Sequence, residues 1–275
     1  MGIKVAIQGI QGSFHHQVAH RYFGEAIGLN ECATFRDVVN SLKNNQSDKA
    51  IMAIENSIAS AILPNYALID SYDLHIIGEH FLDIHMNLMV LPGQTIEDIK
   101  EVHSHPIALL QCANFFSQYP HIKLVESSDT AITAKRIQEN QLKEIGALAG
   151  PVASEIYNLE IIADGIHTVK SNKTRFVVLK ASNKEIPKEL INKASMKFEL
   201  DDTPGSLATV LNVMNNCKLN LTKIQSLPII ETPFTYAFFV DVVFEKYKHF
   251  EKAKKVMEIM TTHFKVLGEY EKSKQ

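Results

Sequence analysis

The chain has 275 residues and a mass of 30.9 kDa, more than one average domain needs and enough for two, each with a sizeable core. Hydrophobic residues make up 45% and charged residues 21%, which disfavours long disorder and collagen-like or coiled-coil architectures. With 28 Lys and Arg against 31 Asp and Glu, the net charge of -3 gives no overall basic field for a nucleic-acid backbone. Cys32, Cys112 and Cys217 are far apart and form no CxxC pair, so neither a disulfide framework nor a zinc ribbon is indicated and a reducing compartment is expected.

In chain order, Lys4 to Ile7 reads as a strand, reached from Met1 with no basic-then-apolar leader. No apolar run reaches the roughly eighteen residues of a membrane span, so the expectation is a cytoplasmic chain without a membrane partner. Further strands are expected at Ala50 to Ile54, Leu74 to Glu79, Met86 to Leu91, Ile122 to Val125, Ile145 to Leu148 and Arg175 to Leu179. Helices fit His16 to Phe23, Phe35 to Asn44, Pro106 to Gln118 and Asp129 to Glu139, where apolar residues recur at three- and four-residue intervals. This alternation predicts an α/β sheet with crossover helices.

Residues 181–193 are polar, contain Pro187 and lack sustained periodicity, which predicts a linker. Beyond it the pattern is strand (Ala194 to Leu200), helix (Gly205 to Asn215), strand (Leu219 to Leu227), strand (Phe234 to Phe244), helix (Phe250 to His263) and strand (Lys265 to Tyr270). That βαββαβ order is the ferredoxin-like arrangement. Lys246, Lys248, Lys252, Lys254 and Lys255 form a solvated face of the last helix, opposite an apolar side of Phe250, Val256, Ile259 and Met260.

Four segments could carry chemistry. Gly9-Ile10-Gln11-Gly12-Ser13-Phe14 joins the first strand to the first helix. Its amides could face an anion, or its glycines could serve a tight turn. Glu55-Asn56-Ser57 follows a buried strand, at the edge where open α/β sheets place ligands. Asn56 and Ser57 could donate to a carboxylate and Glu55 could accept a proton, or all three could satisfy loop amides.

His103-Ser104-His105-Pro106 opens a helix; without a third ligand nearby, a cap or ligand-facing loop is favoured over metal. Cys112 lies in the apolar helix that follows and reads as a buried inert thiol. Asn172-Lys173-Thr174-Arg175-Phe176 sets a hydroxyl and a guanidinium at the start of a buried strand, where Arg175 needs either a protein or a substrate carboxylate opposite it.

In their order and spacing these motifs resemble the prephenate dehydratase family with a C-terminal ACT regulatory domain. The resemblance rests on Gly9 to Phe14, Ile54 to Ser57, Ser104 to Cys112 and Thr174 to Phe176, and covers nearly the whole chain. The chain departs from the family pattern at His15, Ser60 and Ile107. It also carries Gln225-Ser226-Leu227-Pro228 where the family has Glu-Ser-Arg-Pro.

The fold this implies is a two-lobed catalytic domain over 1–180, like a type II periplasmic binding protein. Lobe one would be about 1–76 and 160–180, lobe two about 77–159, followed by the linker and an ACT domain at 194–275. The activity implied is a carbon–oxygen lyase: loss of water and CO2 from prephenate gives phenylpyruvate for phenylalanine biosynthesis, without metal or other cofactor. Thr174, Arg175, Ser13, Glu55, Asn56 and Ser57 would form the catalytic set and Gly12 and Phe176 would line the substrate. Thr174 would assist departure of the hydroxyl and Arg175 would hold a carboxylate. Phenylalanine is the implied effector, at Pro204, Gly205, Ser206, Leu207, Gln225 and Ser226, in a homodimer or homotetramer. The alternatives are arogenate dehydratase and a non-catalytic small-molecule sensor.

Overall fold

The computed structural model describes residues 2–182, 186–229, 232 and 235–273. Phe234, the expected start of a C-terminal strand, and residues 183–185 of the expected linker lie outside the described residues. Up to residue 83 the chain forms β1 (Lys4–Gln8), α1 (Phe14–Phe23), β2 (Gly28–Cys32), α2 (Phe35–Lys43), β3 (Lys49–Asn56), β4 (Ser60–Ala61), α3 (Leu63–Ser71) and β5 (His75–Asp83). It continues with β6 (Asn87–Val90), β7 (Glu101–Ser104), α4 (Pro106–Gln111), α5 (Ala113–Phe116), β8 (Lys123–Glu126), α6 (Thr130–Asn140), β9 (Ile145–Ala149), α7 (Pro151–Tyr157), β10 (Glu160–Ala163) and β11 (Lys173–Lys180). The C-terminal elements are β12 (Lys193–Glu199), α8 (Ser206–Asn216), β13 (Asn220–Pro228), β14 (Tyr236–Val243), α9 (Tyr247–Met260) and β15 (Thr262–Tyr270).

Two sheets make the two expected lobes. The first has the order β2-β1-β3-β11-β5, with β4 beside β3; the second has the order β10-β6-β9-β7-β8. In the first, β1 runs parallel to β2 and β3, and its Val5, Ala6 and Ile7 are wholly buried, as a strand covered on both faces must be. The lobe limits differ from 76 and 160. β5 belongs to the first sheet through Asp83, and β10 belongs to the second, where Glu160 pairs with Val90 and Ile161 with Met89.

Some elements had no periodic signal. β2 (Gly-Leu-Asn-Glu-Cys) is a largely polar edge strand, recruited by its ladder to β1. β7 (Glu-Val-His-Ser) is polar but buried from Val102 to Ser104, because its polar side chains are hydrogen-bonded within the lobe. The expected single helix over 106–118 is two, with Cys112 at the break.

The third sheet, β13-β14-β12-β15, has the ferredoxin-like order and carries its own core of Met196, Phe198, Met214, Val240, Phe250 and Met257. On α9 the buried stripe is Phe250, Ala253 and Met257, not Ile259, which is 86% exposed. Nine residues beyond Phe250 a helix has turned to roughly its opposite face.

By compactness the chain divides into Met1–Ser60 with His80–Phe176, and Ala61–Glu79 with Val177–Gln275. The second unit therefore holds more than the C-terminal sheet expected at 194–275. Charge and packing explain this membership. Asp70 of α3 takes Lys197 at 2.7 Å and Lys265 at 3.2 Å, and buried Glu79 takes buried Lys193 at 2.8 Å. Tyr66 meets Phe239 edge-on at 5.4 Å. Gly268 of β15 lies so close to β5 that a Cβ would fall 2.7 Å from that of Ile76 and nearer still to its carbonyl oxygen. Gly268→Ala should therefore lower stability by about 2 kcal/mol, the usual scale of overpacking, seen as a lower urea midpoint. An unchanged midpoint would disprove that contact.

Candidate active site

The site grows from the end of β3 and the start of β11. The apolar run Ala50 to Ile54 is buried, and only after it can polar side chains reach the sheet's end. Ser57 donates its backbone N–H to Lys173 O at 2.8 Å, and its Oγ accepts from Lys173 N at 2.9 Å while donating to Ser171 O at 3.2 Å. A serine has one hydroxyl proton, and here it is spent on the backbone. Ser57 is thus a clamp between the two strands rather than the free donor the sequence allowed.

Asn56 is the centre of the network. Its Oδ1 accepts from Ile58 N at 3.0 Å and Ala59 N at 2.9 Å. Its Nδ2 donates to Asn172 Oδ1 at 2.7 Å and Thr174 Oγ1 at 2.9 Å, with Lys173 O farther off at 3.3 Å. Asn172, wholly buried, donates in turn to Gln111 Oε1 at 3.0 Å. Neither Asn172 nor Gln111 was among the site residues expected from the sequence. The available signal was an uncharged amide next to the Thr-Arg pair and another inside the Ser104 to Cys112 motif.

Thr174 is 9% exposed and Arg175 4%. Glu55 Oε2 lies 3.8 Å from the Arg175 guanidinium, so a protein carboxylate does stand there. Because strand residues alternate, Thr174 with Asn56 and Arg175 with Glu55 meet the end of the sheet from its two faces. Phe176, expected to line the substrate, is instead core: it is 1% exposed and meets the His15 ring edge-on at 5.0 Å. His15 is buried too, accepts from Ala53 N at 3.2 Å, and is pushed down to about 3 by desolvation, so it is neutral.

Four amides of the glycine turn are already engaged within the protein. Gly9 N donates to Cys32 O, Gln11 N to Glu31, Gly12 N to the His16 ring and Ser13 N to Ile10 O. The turn reading is the one the structure favours: Gly9 and Gly12 have φ of 91° and 87°, where side chains other than glycine are strained. The turn also packs against the second lobe. A Cβ on Gly12 would lie 3.1 Å from the Tyr157 ring, and Tyr157 donates its hydroxyl to Gln11 O at 2.7 Å.

Ser13, 3% exposed, caps α1 by accepting from His16 N. Asp129 Oδ2 and Ser13 Oγ both lie within 3.4 Å of the point where a Gly9 Cβ would be. The Asp129 carboxyl also caps α6, and burial raises its pKa against the pull of the Ala131 and Ile132 amides.

The remaining candidates are accounted for locally. His105 caps α4 through Ile107 N, as one of the two expected roles required, and His103 is held between Glu101 and Arg136. The Cys112 thiol is wholly buried and pushed up to about 12 by desolvation. Pro204 and Gly205 are exposed in the turn before α8, Ser206 and Leu207 are half-buried, and Gln225 and Ser226 lie on the edge strand β13.

The prephenate dehydratase family profile matches residues 5–184, which contain every element of this network. The chain belongs to the prephenate dehydratase family. A bifunctional chorismate mutase/prephenate dehydratase of Buchnera aphidicola (subsp. Acyrthosiphon pisum) is 32% identical over 97% of this chain and 70% of that protein. An arogenate dehydratase/prephenate dehydratase of Arabidopsis thaliana is 34% identical over 98% of this chain and 72% of that protein. The crystal structure of prephenate dehydratase from Arthrobacter aurescens in complex with L-Phe superposes with a TM-score of 0.88. It covers 98% of this chain and 90% of that one, and at 23% identity it speaks for the fold alone.

Within this family fold His15 sets an acid limit. Its folded pKa of about 3 lies below the ordinary 6.5, so the unfolded chain takes up a proton that the folded chain refuses. Its contribution is complete above pH 6.5 and falls as the pH drops towards 3, costing about 2 kcal/mol by pH 5. Unfolding free energies at pH 7 and pH 5 should differ by about that much more in the native chain than in His15→Gln. Equal differences would show that the folded imidazole is open to protons.

Proposed function

We propose that the chain catalyses the decarboxylative dehydration of prephenate to phenylpyruvate, CO2 and water, without a cofactor. The observation that carries this reading is the Asn56-to-Thr174 hydrogen bond beside the buried Arg175 guanidinium. Prephenate carries a ring carboxylate and, para to it, a hydroxyl. As the carbon–carboxylate bond breaks, its electron pair enters the ring, the carbon–oxygen bond opens at the far side, and the ring becomes aromatic. Such a reaction asks for oriented charges and donors rather than a nucleophile.

Arg175 holds a substrate carboxylate in this reading, with Ser13 as a further donor near the turn at Gly12. Asn56 occupies one lone pair of Thr174 Oγ1, so the Thr174 proton points elsewhere, and the reading directs it at the departing hydroxyl. A threonine hydroxyl is a weak acid. Its part is that of a placed donor which gives its proton to the leaving oxygen, so that hydroxide departs as water, and is reprotonated from bulk solvent.

The C-terminal βαββαβ sheet is read as an ACT domain. L-phenylalanine is its proposed effector, at Pro204, Gly205, Ser206, Leu207, Gln225 and Ser226, in a homodimer or homotetramer. The L-Phe complex of the Arthrobacter protein, alike in fold, supports that choice of effector. A cytoplasmic location is proposed from the three buried free cysteines; among the described residues no helix is long and apolar enough to cross a membrane. The second reading is arogenate as substrate, favoured by the name of the Arabidopsis relative.

Prephenate should be turned over at a higher kcat/KM than arogenate; the opposite ranking would replace the first reading with the second. Thr174→Val should lower kcat by about a hundredfold with KM within about threefold. Turnover within about threefold of the native chain would remove Thr174 from the mechanism. Arg175→Lys should chiefly raise KM, since an ammonium lacks the planar fork, and unchanged kinetics would leave Arg175 a structural partner of Glu55.

A further inference from the structure

We infer that Asn172 is a positioning residue for this reaction, holding the Asn56 amide that aims the Thr174 hydroxyl, and itself anchored by donation to Gln111 on the second lobe. The inference rests on the proposed activity and follows from counting protons. Two backbone amides, Ile58 N and Ala59 N, point at Asn56 Oδ1. A backbone amide can only donate, so the oxygen and nitrogen of the Asn56 side chain are assigned by the main chain itself.

Asn56 Nδ2 then has two protons, and its two nearest acceptors are Asn172 Oδ1 at 2.7 Å and Thr174 Oγ1 at 2.9 Å. With its oxygen accepting, Asn172 must turn its Nδ2 outward, and it meets Gln111 Oε1 at 3.0 Å. Gln111 ends α4, in the second lobe, and its carbonyl accepts from Thr168 N at 2.9 Å and Thr168 Oγ1 at 3.0 Å. Thr168 lies in the segment that leads back from β10 to β11.

Every bond in this network therefore has a fixed direction: donation runs outward from Asn56, on one branch to Thr174, whose proton is left pointing away from Asn56, and on the other through Asn172 to Gln111. Asn172 is wholly buried, so no water is at hand to replace either of its bonds. Without it, one proton of Asn56 loses its nearest acceptor and nothing holds the amide plane against Thr174. Asn172 itself is engaged by Asn56 and Gln111, which is why its effect should pass through Thr174 rather than through substrate affinity.

The test is a double-mutant cycle on the full chain with prephenate, with phenylpyruvate release as readout. Asn172→Ala should lower kcat at least about tenfold and move KM less than about threefold. In a Thr174→Val background the same substitution should change kcat by less than about twofold, because the hydroxyl it aims is gone. Asn172→Asp, which keeps an acceptor towards Asn56, should recover part of the lost kcat, a rescue that mere support of the fold would not give. Should Asn172→Ala fail to fold, Asn172→Ser enters the same cycle. An equal loss of kcat in both backgrounds, or a rise in KM at constant kcat, overturns the role of Asn172. A native chain that converts neither prephenate nor arogenate overturns the proposed activity instead.

Discussion

The hydrogen bonds from Ile58 N and Ala59 N to a single side-chain oxygen of Asn56 are the constraint on which the site depends. They turn an amide that could face either way into a directed one, and that direction passes to Asn172 and Thr174. The clamp at Ser57 serves the same end, since its backbone N–H and its hydroxyl together hold the end of β3 to backbone groups at the start of β11. A hydroxyl used as a donor needs such a frame. Its proton rotates freely unless one of its lone pairs is already claimed.

Charge is handled differently in the two compact units. In the first, the Arg175 guanidinium is 4% exposed at the end of a sheet, with a Glu55 carboxylate oxygen 3.8 Å from one of its nitrogens. In the second, Lys193 and Glu79 meet at 2.8 Å with both side chains buried, and Asp70 takes two lysines at its edge. A buried pair of this tightness adds little net stability over an apolar pair but strongly penalises any arrangement that leaves one member alone. It therefore fixes which segments share a unit. Residues 61–79 come far earlier in the chain than β12 and β15, yet they belong with them.

Much of the fold was legible because burial leaves a periodic trace. β1, β3, β9 and β11 are apolar runs covered on both faces, and α1, α2 and α6 repeat at helical spacing, so their existence follows from the residues alone. β2 and β7 escaped because short strands rich in polar residues are held by their neighbours' ladders and carry no such trace, and the four-residue β10, though mostly apolar, is too short to show a period. Ile259 was misplaced for a related reason: its type suits a core, while its phase on α9 points outward.

By itself the sequence determined that the chain is α/β followed by a βαββαβ unit, and it singled out a threonine, an arginine and a Glu-Asn-Ser run as the candidate site. These are matters of local pattern and residue chemistry, which survive without coordinates. Only the tertiary structure decided that Ser57 is a clamp, that Phe176 is core, that the glycine amides are already engaged, and that Asn172 and Gln111 complete the network. The reason is that a hydrogen-bond donor's role depends on which acceptor is nearest. For Ser57 and Asn172 that acceptor lies more than fifty positions away in the chain, where no local pattern reaches.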